Sequence, residues 1–181
     1  MDDVIHGLLL AAGAGTRMGT PKALVPGWLA GAVEALRDGG CAEVTVVLGA
    51  AADEARALLP DGVDCVVAED WESGMSRSLS AGLVALAGTE ATAAMLHLVD
   101  LPDVGADVVR RLAACGGGRD VLARATYDGR PGHPVLIGRD RWAGVLEGAT
   151  GDEGARAYLR RNDVVAVECG DLAGGHDVDR R

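Results

Sequence analysis

The sequence predicts an α/β fold, a doubly wound and mostly parallel sheet, on three observations. Short Val- and Leu-rich runs alternate with segments of helical length. The runs are mostly apolar instead of alternating with polar residues. Glycine breaks the chain soon after the first, at Gly13, and Asp100 ends the fourth. Unbroken apolar strands are what a parallel sheet covered on both faces requires, and the strand-helix alternation supplies right-handed crossovers between them.

VIHGLLLA (4–11), EVTVVLGA (43–50), VDCVVAE (63–69) and AAMLHLVD (93–100) read as four such strands. LAGAVEALRD (29–38), AADEARALL (51–59) and SRSLSAGLVAL (76–86) read as the helices between them. After Asp100 the spacing predicts a helix over 104–114, a strand over 121–127 and a hairpin arm, punctuated by Gly and Pro, over 128–138. Helices at about 140–147 and 152–161 and a strand at 164–168 complete the chain. With 181 residues, no repeat and no low-complexity linker, residues 1–181 read as a single domain. Ligands of such sheets sit beyond the carboxyl ends of the strands, which draws attention to the residues after strand one and to Asp100.

Apolar residues make up 49% of the chain but aromatics only 3%, so the core must be Ala, Val and Leu packed closely. A net charge of −10 excludes a general nucleic-acid binder, because phosphate backbones are held by accumulated Lys and Arg. The pairs Arg160–Arg161 and Arg180–Arg181 read as solvated helix or chain ends. Cys41, Cys65, Cys115 and Cys169 form no C-x-x-C pair and read as small buried hydrophobes in a reducing compartment. The start, MDDVIHG, lacks the order of a secretory signal, and no apolar stretch reaches membrane-spanning length. The expectation is a cytoplasmic protein with no membrane partner.

One position stands apart. Among sixteen Arg there is a single Lys, Lys22, and it follows the glycine-broken stretch LLLAAGAGTRMGTPKAL (8–24). Gly13, Gly15 and Gly19 let backbone N–H groups approach an anion and let the chain visit positive φ. The stretch is not a Walker A loop, since Lys22 follows Pro21 and precedes Ala23. Nor is it the dinucleotide fingerprint: Met18 holds the third glycine position, and Val47, Leu48 and Gly49 stand where an acidic residue should close the second strand. A nicotinamide or flavin enzyme therefore fits less well.

LAAGAGTRMGTPKAL resembles the signature L-A-A-G-x-[GS]-x-R-M-G-x-x-K of the MobA-like NTP transferases, the nucleotidyltransferases related to molybdenum cofactor enzymes. It matches at Leu10, Ala11, Ala12, Gly13, Gly15, Arg17, Met18, Gly19 and Lys22. The resemblance implies a sheet of the nucleotide-diphospho-sugar transferase (Rossmann-like) type and a triphosphate held by the loop, with Arg17 and Lys22 neutralising charge as pyrophosphate departs. A lysine suits that task because its ammonium is a compact point charge.

Further segments extend the resemblance. WESGMSRSLSAGL (71–83) is similar to W-x-x-G-M-x-x-S-L-x-x-G-L, which implies that Gly74, Ser76 and Ser78 face the nucleotide; the same residues also suit an ordinary helix capped by Ser73 or Gly74. LVDLPDV (98–104) is similar to the family's D-x-P, which implies that Asp100 is a ligand of Mg²⁺; a cap of the next helix is the other reading. RPGHPVLIG (130–138) and GDEGARAYL (151–159) resemble the G-H-P and G-D-x-G-A-R segments of the cytidylyltransferases in this group, which implies an acceptor side shaped by His133, Asp152 and Arg156; His133 also reads as a general base or a structural hydrogen-bonder, Asp152 as a helix N-terminus and Arg156 as a solvated helix residue. HDVDRR (176–181) resembles D-[IV]-D, so Asp177 and Asp179, alternate residues of an extended segment, share a face and supply further carboxylate to Mg²⁺; a solvated acidic tail is the other reading.

Three departures are visible. The stretch ALVPGW between Lys22 and Leu29 is several residues shorter than the family's connection. Ala68 and Glu69 stand before Trp71 where the group often has Asn-Pro. The family continues past D-[IV]-D with Thr-Pro and a closing helix, whereas this sequence ends at Arg181.

The resemblance thus implies transfer of a nucleoside monophosphate from an NTP, with CTP favoured, to a phosphorylated pterin-type acceptor such as molybdopterin. Pyrophosphate leaves, and a molybdoenzyme that receives the cofactor is an implied partner. Two alternatives remain open: a GTP-dependent transferase on the same or another phosphorylated acceptor, and a relative that carries the cofactor without turnover.

Overall fold

The computed structural model describes residues 2–180; Arg181, read above as a solvated chain end, lies outside them. Seven strands form one sheet: β1 (Ile5–Ala11), β2 (Glu43–Leu48), β3 (Asp64–Val67), β4 (Ala93–Leu98), β5 (Leu122–Tyr127), β6 (Arg130–Gly138) and β7 (Val165–Glu168). Among the described residues six α-helices accompany them: α1 (Trp28–Asp38), α2 (Ala52–Arg56), α3 (Met75–Ala87), α4 (Ala106–Ala113), α5 (Trp142–Gly148) and α6 (Arg156–Arg161). The strand order is β3-β2-β1-β4-β6-β5-β7. All neighbours run parallel except β6, which is antiparallel to both β4 and β5.

Both faces of the sheet's centre are covered, which is why β1, β2 and β4 are largely apolar without alternation, whereas the edge strand β7 is mostly exposed. Leu9, Val46, Met95 and Leu136 pack on one side against Val33 and Leu36 of α1 and Val109 and Leu112 of α4. Leu8, Val47, Leu96 and Val135 pack on the other against Leu79 and Leu83 of α3, Val145 of α5 and Leu159 of α6. These residues are almost fully buried.

The structure departs from the sequence reading in four places. The helix expected over 51–59 is only α2, because Ala55 is its one buried residue and Pro60 blocks extension. The helix expected from 152 begins at Arg156, since Gly151 and Gly154 adopt φ of +52° and +55° and fold the preceding residues into a turn. The hairpin arm is β6, a nine-residue strand in the interior of the sheet, with a cis His133–Pro134 peptide. Cys41 and Cys169 are buried as expected, but Cys65 is half-buried and Cys115 exposed.

The shortened connection after Lys22 is a single 3-10 turn, Lys22–Leu24, anchored by the fully buried Ala23. At the other end of the chain, residues 174–179 lie along the carboxyl end of the sheet. Gly174 and Gly175 donate their N–H groups to the Asp103 carboxylate (2.8 and 3.2 Å), and Arg130 donates to Gly174 O (2.7 Å). Val178 N–H donates to Asp100 O (2.9 Å). No helix among the described residues is long and apolar enough to cross a membrane.

Candidate active site

Beyond the ends of β1 and β4 lies a cleft of about 420 Å³, within the range of small-molecule sites. Its first wall is the chain that leaves β1. Gly15, at φ +61°, reverses direction so tightly that a Cβ would collide with the Thr20 carbonyl, and its own carbonyl accepts from Met18 and Gly19 N–H (3.0 and 2.9 Å). That reversal lets the 3-10 turn begin beneath the loop and directs Lys22 back toward β4.

The Lys22 Nζ lies 2.6 Å from Asp100 Oδ2 and 2.7 Å from Asp179 Oδ1. Asp100 ends β4 and Asp179 belongs to the terminal segment, so three distant parts of the sequence meet at one ammonium. Burial opposes the lysine's charge, but hydrogen bonds to both carboxylates outweigh it and hold its pKa above the ordinary value. The Lys22 hydrogen bond, with help from Asp177, lowers the pKa of Asp179. Asp177 moves the other way: its hydrogen bond with Asp179 and its burial favour the protonated acid. Arg17 stands at the mouth, 68% exposed and 3.7 Å from Asp179, a contact that solvent screens strongly.

Asp100, Asp177 and Asp179 can each offer an oxygen within 4.8 Å of the others. Asp100 Oδ1 is buried with no hydrogen-bond partner, a costly state unless a cation satisfies it. Hard carboxylate oxygens at this spacing suit a divalent ion such as Mg²⁺ or Mn²⁺, and Lys22 occupies the same carboxylates as a monovalent stand-in.

The other residues singled out in the sequence divide. Leu10, Ala11, Ala12, Gly13, Gly15, Arg17, Lys22, Gly74, Ser78, Asp100, Asp152 and Asp179 all line the cleft. Gly74 has φ +115°, and a Cβ there would lie 2.5 Å from Gly151 O; this contact brings the Asp152 turn against the start of α3. Ser76 is not part of the cleft lining, and its buried hydroxyl has no hydrogen-bond partner. His133 and Arg156 also stand outside the lining. Burial, reinforced by His97, Arg124 and Arg156, pushes the His133 imidazole down to about 3, so it is neutral at pH 7. Trp71, Glu72 and Met75 line the cleft although the sequence reading gave them no role. The W-x-x-G-M pattern had contained Trp71 and Met75, and that was the available signal.

A glycine turn, a caged lysine and a strand-end carboxylate around one cleft define a phosphate-handling α/β protein. Residues 7–166 match the MobA-like NTP transferase domain, and the chain belongs to this family of nucleotidyltransferases. It is 39% identical to the nicotine blue oxidoreductase of Paenarthrobacter nicotinovorans, over 97% of this chain and 92% of that protein. Among solved structures it is similar to Rv0371c from Mycobacterium tuberculosis H37Rv, at 31% identity and a TM-score of 0.81, covering 99% of this chain and 95% of that one. Rv0371c has also been solved in complex with manganese; that structure gives 29% identity and a TM-score of 0.77, over 93% and 89% of the two chains.

Proposed function

We propose that the protein transfers a nucleoside monophosphate, from CTP in preference to other NTPs, to a phosphorylated pterin-type acceptor such as molybdopterin, releasing pyrophosphate. The observation that carries the reading is the convergence of Lys22 on Asp100 and Asp179 within the cleft that the glycine loop closes.

The Gly13–Arg17 backbone orients the triphosphate, and Arg17 and Lys22 take up charge as pyrophosphate departs. Asp100 and Asp179, with Asp177, hold the divalent ion; the manganese complex of Rv0371c supports metal use in this fold. Bound there, the ion supplies charge neutralisation on phosphate oxygens. Ser78 and Gly74 bound the nucleotide from the α3 side, and Asp152 marks the acceptor side. Most of the rate comes from holding the acceptor phosphate oxygen in line with the α-phosphorus and the leaving group.

A second reading follows from the relative named as an oxidoreductase: hydride transfer in the same cleft. The test is pyrophosphate release with CTP, GTP, ATP or UTP plus Mg²⁺ or Mn²⁺ and purified molybdopterin, run beside NADH and NADPH oxidation with a dye acceptor. Release with CTP that is lost in Lys22→Ala and Asp100→Ala supports the proposal. Preference for GTP ends the cytidylyl assignment, and dinucleotide oxidation without pyrophosphate release ends the transferase reading. Nucleotide or cofactor binding without turnover identifies a carrier.

A further inference from the structure

Among the described residues Tyr127, at the end of β5, is the largest fully buried side chain. The chain has two tyrosines and no phenylalanine, so a bulky ring stands out in a core of Ala, Val and Leu. It belongs to the layer beneath α1 and α4, and two glycines close on it. A Cβ at Gly132 of β6 would come 2.8 Å from Tyr127 Cε2 and 2.9 Å from Cδ2, and a Cβ at Gly175 would overlap the same edge of the ring. Only backbone can come so near, and Gly175 does so at φ +66°.

The hydroxyl is fixed as well. Tyr127 Oη donates to His133 O at 2.6 Å, and burial raises the pKa of the phenol, which stays protonated and remains a donor at neutral pH. With its ring against Gly132 and its hydroxyl on His133, the side chain is a stiff wall built on β6. The terminal segment rests on that wall at Gly175, which is buried while every other residue of 171–180 is half-buried or exposed. The hydrogen bonds that Gly174 makes with Asp103 and Arg130 are open to water; the ring contact is not. Just beyond Gly175 come Asp177 and Asp179, which meet Asp100 within 4.8 Å. Metal–ligand distances tolerate deviations of only about 0.2 Å, so carboxylates borne on an extended chain end need a rigid support behind them.

We propose that Tyr127 is a positioning residue for the divalent-metal centre. Its ring is the surface against which Gly175 sets the terminal segment, and it thereby fixes where Asp177 and Asp179 stand relative to Asp100. Tyr127 touches neither metal nor substrate. The proposal rests on the nucleotidyl-transfer reading only for the reaction that the metal would serve.

The test is a double-mutant cycle in the full chain, read by Mn²⁺ affinity without nucleotide, from electron paramagnetic resonance of free Mn²⁺. Gly175→Ala pushes a methyl into the ring and Tyr127→Leu removes the wall; each should weaken Mn²⁺ binding by about 10- to 100-fold. Both act through one contact, so the double variant should bind no more weakly than the worse single one. Tyr127→Phe keeps the ring and loses only the bond to His133 O, for a loss of about threefold; it replaces Tyr127→Leu in the cycle if that variant does not fold. Val145→Ala, a fully buried truncation on the opposite face of the sheet, is the control for lost stability and should leave Mn²⁺ affinity unchanged. Wild-type affinity in Gly175→Ala, additive losses in the double variant, an equal loss in Val145→Ala, or no Mn²⁺ binding by the wild type overturns the proposal. Pyrophosphate release, assayed separately, tells the two ideas apart. Ring-dependent Mn²⁺ affinity without transfer from any NTP keeps the positioning role and removes the transfer reading, whereas transfer with ring-independent Mn²⁺ affinity removes the positioning role alone.

Discussion

Lys22→Met tests the central geometry most directly, because it removes one charge while keeping most of the side chain's volume. Among the described residues the ammonium is the only positive group within hydrogen-bond range of Asp100 and Asp179, and those side chains are 12% and 36% exposed. Removing one partner of a buried ion pair costs about 3–5 kcal/mol. The Asp179 contact is screened more than the Asp100 contact, so the lower end, about 3 kcal/mol, is the expected loss of stability in chelator. Metal affinity should move the opposite way. Three carboxylates within 4.8 Å of one another are left without their internal cation. Even at the dielectric constant of water, a single charge about 5 Å from a divalent ion opposes it by about 1.7 kcal/mol, so the variant should bind Mn²⁺ at least tenfold more tightly without nucleotide. Added Mn²⁺ should then restore much of the lost stability by mass action. Urea denaturation in EDTA measures the first effect, and electron paramagnetic resonance of free Mn²⁺ the second. A folded variant with unchanged metal-free stability, or with weaker Mn²⁺ binding, refutes the view that lysine and metal share these oxygens.

Burial pushes the His97 imidazole down to about 4, and neither ring nitrogen has a partner. The folded protein therefore refuses a proton that the unfolded chain accepts below about 6.5, and stability should fall with pH at about 1.4 kcal/mol per unit, about 3 kcal/mol in all by pH 4. His97→Leu should flatten that slope in urea titrations at pH 7, 6 and 5, leaving the contribution of His133, which has the same sign. Gly74→Ala forces a side chain into positive φ against Gly151 O, so a stability loss of about 1–3 kcal/mol should accompany weaker nucleotide binding in thermal-shift assays. Asp103→Ala removes the acceptor for Gly174 and Gly175 N–H; because Asp103 is exposed, the fold should persist, while the terminal segment becomes sensitive to limited proteolysis and Mn²⁺ affinity drops about tenfold.

What could be read from the sequence, and what could not, follows from how far each residue's partner lies along the chain. The loop from Leu10 to Lys22 was legible because its chemistry is local: a strand end, a glycine reversal and a cation within fifteen residues. Asp100 and Asp179 came from the resemblance, through D-x-P and D-[IV]-D, and the structure brings both to the cleft although they lie far apart along the chain. The straps were not legible. Asp103 holds Gly174, and Arg130 holds the same residue from β6, across separations that no spacing rule encodes. Helix lengths failed for a related reason: Ala-rich segments favour helix everywhere, and only burial decides where one ends, as the lone buried Ala55 of α2 illustrates.

The solitary lysine ties these threads together. An arginine at position 22 would present a planar fork in place of a compact ammonium, and the two carboxylates reach one nitrogen at 2.6 and 2.7 Å from different elements. The same ammonium that closes the carboxylate cluster also couples it to the glycine loop, so loop, strand end and terminal segment rise or fall as one unit. Lys22→Arg is thus no conservative change. It should weaken the hold on Asp179, seen as greater proteolytic sensitivity after Gly175, and a variant that keeps both the tail and nucleotide affinity intact would show that charge alone, without point geometry, is sufficient.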